Sequence, residues 1–192
     1  MTEMNPISRF FVNLSASRRS ARAYDWVRKD VPIPAGAVCL ELGSGTAAFA
    51  ARFVDGFRPA QYVATDLDPH QVEAARAALA KRFGGRPPPE LTVREADMLH
   101  LPFADVSFDV VLAFVAIHHA SPNHFDFGPI PQALTEIDRV LRARGLLVYR
   151  EILHKDAIRR WLGDHGYAVE RLRRSWRVES VAARKSGPPA PA

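Results

Sequence analysis

The 192-residue chain has a single cysteine, Cys39, so no internal disulfide can form, and this usage fits a reducing compartment. Cys39 lies inside an apolar run and reads as a small buried hydrophobe rather than a nucleophile. No apolar run approaches the roughly twenty residues that a membrane helix needs. The opening MTEMNPISRF has no basic segment followed by an apolar one, so no signal peptide is expected and the expected location is cytoplasmic. Lysine is scarce: Lys29, Lys81, Lys155 and Lys185 are the only ones, and every other basic residue is arginine. The net charge of +5 would suit a nucleic acid, but the arginines are spread along the chain. Only mild clusters occur, at residues 18–22 and 171–177, and nucleic acid is not the expected partner.

What is present is an alternation of strand and helix. Residues 6–30 read as two helical pieces, with Ile7, Phe10, Phe11 and Leu14 at helical spacing and Tyr24 and Val27 continuing an apolar face. VPIPAG stops them at residues 31–36. Strands are expected at 37–42, 61–65, 91–95, 108–114 and 146–152, and helices at 46–57, 69–83, 131–142 and 156–163. The run FDVVLAF suits a central strand covered on both faces. Residues 167–176 and 178–184 read as an antiparallel hairpin, and the tail SGPPAPA as disordered. The fold class expected is α/β: one doubly wound, Rossmann-like sheet of seven strands, mostly parallel with an antiparallel C-terminal hairpin. The division expected is a helical lid over residues 1–35, a main domain over 36–185 and a tail over 186–192.

In such sheets ligands bind beyond the carboxyl ends of the strands. VCLELGSGTAAF places Glu41, Leu42, Gly43, Ser44 and Gly45 there, and Asp66 and Asp97 follow the next two strands. A triphosphate loop would carry a lysine after its second glycine, and nothing basic occurs between Glu41 and Arg52. The dinucleotide pattern G-x-G-x-x-G/A is met literally through Ala48, with Asp66 at the spacing of a ribose-binding acid. Charge separates the remaining choices. A pyrophosphate disfavours a ring of carboxylates, whereas a sulfonium, an ammonium, a ribose diol and an adenine amine all suit one.

These residues resemble class I S-adenosylmethionine-dependent methyltransferases. ELGSGTA resembles that family's first motif and VATDLDP its second. EADMLHLPFADVSFDVVLAF and ALTEIDRVLRARGLLVY resemble the stretches leading into its fourth and fifth strands, and the ending resembles its closing hairpin. The resemblance implies S-adenosylmethionine as cofactor and S-adenosylhomocysteine as product. It implies Glu41 near the methionyl end, Asp66 with its neighbour Leu67 on the ribose, Asp97 and the backbone of Met98 framing the adenine, and Ala113 and Phe114 approaching the cofactor. Ala47 stands where the family has a third glycine. In the first helical turn an alanine needs no positive φ, so binding is expected to survive. The turn Arg142-Ala-Arg144-Gly145 lacks the family's proline-glycine pair, at no expected functional cost.

Methyl transfer is a direct displacement, so the protein mainly aligns the reactants and excludes water. Where a base is needed, His118 and His119 after the fourth strand are the candidates, with His124 close by. No resident metal is expected, since His118, His119, His124 and Asp126 match no metal-site spacing. The position after the fourth strand reads FVAIH rather than the proline-rich motif of amino-methylating enzymes that act on flipped bases. Cys39 is also badly placed for cytosine-carbon methylation. The expected acceptor is a small molecule with an oxygen or nitrogen nucleophile; an RNA or protein acceptor and a non-catalytic cofactor-binding protein are the alternatives. Almost no insertion follows the fifth strand, which implies an open site, a site completed by a second subunit of a homodimer, or a broad acceptor range.

Overall fold

The structure, a computed structural model, describes residues 6–187, with side chains from residue 18 onward. The tail expected to be disordered therefore falls almost entirely outside the described residues, as do the side chains of Ile7, Phe10, Phe11 and Leu14.

Among the described residues seven strands form one sheet: β1 (Val38–Leu42), β2 (Gln61–Asp66), β3 (Leu91–Glu95), β4 (Phe108–Phe114), β5 (Leu141–Glu151), β6 (Tyr167–Arg174) and β7 (Glu179–Lys185). Their spatial order is β3-β2-β1-β4-β5-β7-β6. All pairs are parallel except those of β7, which runs antiparallel to both β5 and β6. The order reverses between β1 and β4, the switch point at which open α/β sheets bind ligands, in the crevice beyond the carboxyl ends of the strands.

Successive side chains of a strand point to opposite faces, so each central strand feeds two cores. Leu40, Val111, Ala113, Leu147 and Tyr149 pack on one face against α4 (Ile130–Val140) and α5 (Lys155–Asp164). Cys39, Tyr62, Val110, Leu112 and Val148 pack on the other against α1 (Pro6–Asp30), α2 (Ala48–Phe57) and α3 (Pro69–Arg82). This double burial is why FDVVLAF is nearly continuously apolar. Cys39 is wholly enclosed, and burial first and Asp109 second push its thiol far above the ordinary range.

Three local expectations are corrected. Residues 6–30 form one helix rather than two pieces, because the polar stretch at 15–20 contains neither glycine nor proline to break it. The strand expected at 146–152 starts at Leu141, directly where α4 ends. Residues 142–145 form an irregularity inside β5, where Phe108 pairs with Leu141 and Val110 with Leu146. Gly145 permits it: a Cβ there would lie 2.7 Å from the Arg142 carbonyl oxygen. The helix expected from residue 46 starts at Ala48, for a reason that belongs to the site. No helix among the described residues is long and apolar enough to cross a membrane.

Candidate cofactor and active site

The loop from β1 to α2 turns sharply at two glycines in left-handed conformation, Gly43 (φ 65°) and Gly45 (φ 52°). A Cβ on Gly43 would meet the Ala116 Cβ at 2.7 Å, so only glycine lets the loop lie against the end of β4. Nothing crowds Gly45, whose nearest neighbour, Gln71 Oε1, is 4.0 Å from a built Cβ. The loop is tied to β2 twice. The Ser44 N–H donates to the Thr65 carbonyl at 2.8 Å, and the Gly45 N–H donates to Asp66 Oδ2 at 2.8 Å. Asp66 Oδ1 accepts from the Asp68 N–H at 3.1 Å. Burial raises the Asp66 carboxyl from its ordinary value, and those N–H donors oppose the rise.

Ala47 departs from expectation. It adopts φ 54° and ψ 28°, left-handed like the glycine it replaces, and caps α2 without any side-chain bond. Its N–H donates to Ser44 O at 2.9 Å, and its own carbonyl accepts from Ala51 N–H at 3.0 Å. An alanine there costs about 1–2 kcal/mol of backbone strain. The small size of alanine was legible in the sequence; its backbone sign was not.

The other expected residues separate into two groups. Those at or just beyond the carboxyl ends of β1 to β4, and at least partly exposed, are Asp66, Leu67, Ser44, Asp97 and Phe114. Asp97 Oδ1 accepts from the Leu99 N–H at 2.8 Å, its side chain is 40% exposed, and its Oδ2 lies 3.9 Å from His100 Nδ1. Leu67 is 56% exposed and lies between Asp66 and Asp68 in the chain. Phe114 is half-buried, its ring 4.3 Å from that of Phe49. Leu42 and Ala113 point into the core and offer the crevice only backbone, while Met98 packs against the core partly buried.

Glu41 is buried under the loop, where its Oε2 accepts from the Tyr62 hydroxyl at 2.8 Å. Burial, opposed by the tyrosine bond and reinforced by Asp66, pushes its carboxyl up to about 8.

A second buried acid, Glu151 at the end of β5, was not found by sequence reasoning. Its Oε1 accepts from the Ile117 N–H at 2.7 Å, and its Oε2 lies 2.7 Å from His118 Nδ1. With a carboxylate as acceptor, the Nδ1 of His118 carries the hydrogen. The available signal was an acid closing an apolar strand, LLVYRE, as Glu41 closes VCLEL. Glu151 fixes the 3-10 turn Ile117–Ala120, which carries both candidate histidines. His118 is buried; His119 and His124 are exposed, their ring centroids 4.6 Å apart, with His118 4.1 Å from His119. Lost hydration first, then the charges of His118 and His124, push His119 down to about 4. Ligating atoms of the three imidazoles lie within 4.8 Å of one another, the set among the described residues that could gather on a metal ion. Asp126 is not in the set, its Oδ1 accepting from Gly128 N–H. Val115, just before the turn, is β-branched with φ 60°, a strained conformation of a kind that concentrates at functional sites.

The donor set fits a cationic nucleoside. The loop holds no basic residue, two carboxylates flank an exposed leucine, and Ser44 Oγ is enclosed without a hydrogen-bond partner among the described residues.

Comparison with known proteins agrees. Residues 40–149 match the family described as Methyltransferase domain. An uncharacterised methyltransferase of Mycobacterium leprae is 30% identical over 159 residues, 83% of this chain and 51% of that protein. The chain thus spans about half the length of such curated relatives. A chain of the complex between the Haloferax volcanii Trm112 methyltransferase activator and a methyltransferase superposes with TM-score 0.75 at 16% identity, covering 94% of this chain and 95% of that one. A SAM dependent methyltransferase from Aquifex aeolicus gives TM-score 0.74 at 16% identity, covering 95% and 99%. At such identities the structures speak to the fold alone. Motif order, strand order and family match converge: the chain belongs to the class I S-adenosylmethionine-dependent methyltransferases.

Proposed function

We propose that the chain transfers a methyl group from S-adenosylmethionine to an oxygen or nitrogen nucleophile of a small molecule. The observation that carries the reading is the Asp66 carboxylate, bonded to the Gly45 N–H of a loop without basic residues. An acid there can accept from a ribose diol, and the carboxylates of Asp66 and Asp97 at the strand ends disfavour a pyrophosphate beside them. When bound, the cofactor supplies an activated methyl carbon. The chain's own residues do the rest. Asp66 accepts from the ribose hydroxyls and Asp97 from the adenine amine, beside the Met98 backbone. Leu67 covers the base, and Ser44 and the Gly43–Gly45 backbone approach the methionyl end. Glu41, below the loop, keeps Tyr62 and the β1–β2 junction in register. Phe114 and the strained Val115 shape the wall where the acceptor arrives.

His119 takes the acceptor's proton. Its lowered pKa keeps it neutral, and so able to accept, throughout the physiological range. His118 acts as the positioning residue, locked by Glu151. In this reading α1 serves as a lid beside the acceptor, and residues 36–185 carry the chemistry.

The test is transfer of radiolabelled methyl groups from S-adenosylmethionine to a fractionated extract of the source organism. Label in a low-molecular-weight fraction, lost with Asp66→Ala, supports the reading. Label confined to RNA or protein, or no label beside tight S-adenosylhomocysteine binding, contradicts it.

A further inference from the structure

The two arginine clusters of the sequence, far apart along the chain, converge in the fold. A cavity of about 460 Å³ lies between α1 and the ends of β5, β6 and β7. Arg22 and Lys29 of α1, Arg150 of β5 and Arg173 and Arg174 of β6 line it, against Asp25 and Asp30, with Trp26 as an apolar wall. Arg174 is committed to Glu179 and Asp156. Arg22, Lys29, Arg150 and Arg173 have no side-chain hydrogen bond or ion pair among the described residues.

Arg150 is half-buried, and a charge withdrawn from water is costly unless it is paired. Here its surroundings are adverse. Burial first, then the like charges of Arg22, Arg173 and Arg19, push its guanidinium down from the ordinary value. Arg22, Arg150 and Arg173 around one cavity make a set that an anion would complete, since guanidinium forks match carboxylate and phosphate oxygens.

The cavity is also in the right place. β6 runs parallel to β5, so the 173–178 turn meets the carboxyl end of β5 at the crevice edge of the sheet. Arg150 pairs in register with Phe114, and its carbonyl accepts from the Val115 N–H at 2.6 Å. Adjacent strands lie only about 4.8 Å apart and paired residues share a face, so the Arg150 and Phe114 side chains start as neighbours on one face of the sheet. Arg150 and Glu151 point to opposite faces of β5, so the anion cavity and the histidine turn flank that strand end from either side.

We infer that this cavity is the acceptor subsite and that the methyl acceptor carries a carboxylate or phosphate, held by Arg150 with Arg22 and Arg173. The inference rests on the methyltransferase reading above. The volume suits one small ligand, and the acids Asp25 and Asp30 argue against a polyanion track.

The test is calorimetric titration of the full chain, saturated with S-adenosylhomocysteine, with inorganic phosphate, citrate and, as a cationic control, choline. The wild type should bind phosphate or citrate and ignore choline. Arg150→Met, which keeps the apolar stem, and the exposed Arg173→Gln should each weaken anion binding at least tenfold, with S-adenosylhomocysteine affinity within threefold of wild type. Without anion, Arg150→Met should melt higher than wild type because a mutual repulsion is gone. Phosphate should raise the melting temperature of the wild type more than that of the variant at matched ionic strength. No anion binding, or equal affinity in wild type and both variants, overturns the subsite. An oligouridylate that binds through the same arginines more tightly than phosphate also overturns it, by making the cavity the edge of an RNA surface. If S-adenosylhomocysteine itself does not bind the wild type, the methyltransferase reading fails instead.

Discussion

Glu41 and Glu151 both lie at the carboxyl edge of the sheet, one near the end of β1 and one at the end of β5. Both are buried, yet they are satisfied differently. Glu41 meets one neutral partner, the Tyr62 hydroxyl, with a second acid, Asp66, close by. Its carboxyl is pushed up to about 8 and is mostly protonated at neutral pH. Glu151 meets three backbone N–H groups, of Ile117, His118 and Ile152, and an imidazole. An acid with one neutral partner holds a proton and fills space. An acid ringed by donors organises a loop, here the turn that carries His118 and His119. In the function proposed above, the first half of the edge is a cradle for the cofactor, and the second half is where an acceptor and a proton are managed.

That contrast can be broken most severely at Glu151. Glu151→Ala leaves a buried imidazole and the Ile117 N–H without their acceptor, and should destabilise the fold by about 3–5 kcal/mol in urea unfolding. Glu151→Gln keeps the oxygen for the backbone and should cost less. Equal losses would mean that packing alone, and not the carboxylate's donors, sets its value.

His119→Ala should slow transfer to the identified acceptor about 100-fold or more, with KM little changed. Because the wild-type base loses its neutral form only near 4, the rate should stay level from pH 8 down to about 5. A fall centred near 6.5 would show that an unperturbed imidazole does the work.

Glu41→Gln tests the other half. The folded chain holds this proton more tightly than the unfolded chain, so it binds more protons between the ordinary 4.5 and about 8. The stability from this group is therefore full below 4.5 and is lost as pH rises through about 8. The glutamine variant, which can still accept from Tyr62, should be more stable than wild type at pH 8 by at least about 1 kcal/mol, with the difference shrinking toward pH 5. Parallel pH profiles would mean that Glu41 is ionised in the fold.

The smallest effect is expected at Ala47. Ala47→Gly removes about 1–2 kcal/mol of left-handed strain but gives up a buried methyl worth roughly 0.8 kcal/mol and adds chain entropy. Stability should move by under about 1 kcal/mol, and S-adenosylhomocysteine affinity by less than about threefold by calorimetry. A tenfold change in affinity would show that the alanine tunes the cradle.

Legibility in the sequence followed the same division. The cradle half depends on local signals: glycines at fixed spacing, an acid after each of two strands, and apolar runs with period two. The turn at Gly43 and Gly45 and the strand-end placing of Asp66 and Asp97 were therefore readable from neighbouring residues. The β4–β5 half depends on contacts across long separations. Glu151 reaches His118 across a parallel strand pair, and Arg22 meets Arg150 and Arg173 only once α1 is laid on the sheet. His118 and His119 were visible as a pair, but not which was clamped and which exposed. Backbone sign was equally hidden: Ala47 and Val115 carry positive φ in sequences with no glycine at those positions. The continuity of α1 and the irregularity at 142–145 were missed because polar spacing imitates a helix break and Gly145 imitates a helix stop.

The account's central claim is that strand-end carboxylates hold a cationic nucleoside rather than a pyrophosphate, and titration calorimetry of the full chain tests it directly. S-adenosylhomocysteine should bind the wild type, and binding should fall at least about 100-fold in Asp66→Ala, as expected for losing two hydrogen bonds to a charged acceptor. The thermal melting of the variant should remain cooperative, and NAD should give no heat. Binding of NAD with silence from S-adenosylhomocysteine, or unchanged S-adenosylhomocysteine affinity in Asp66→Ala, would contradict the account.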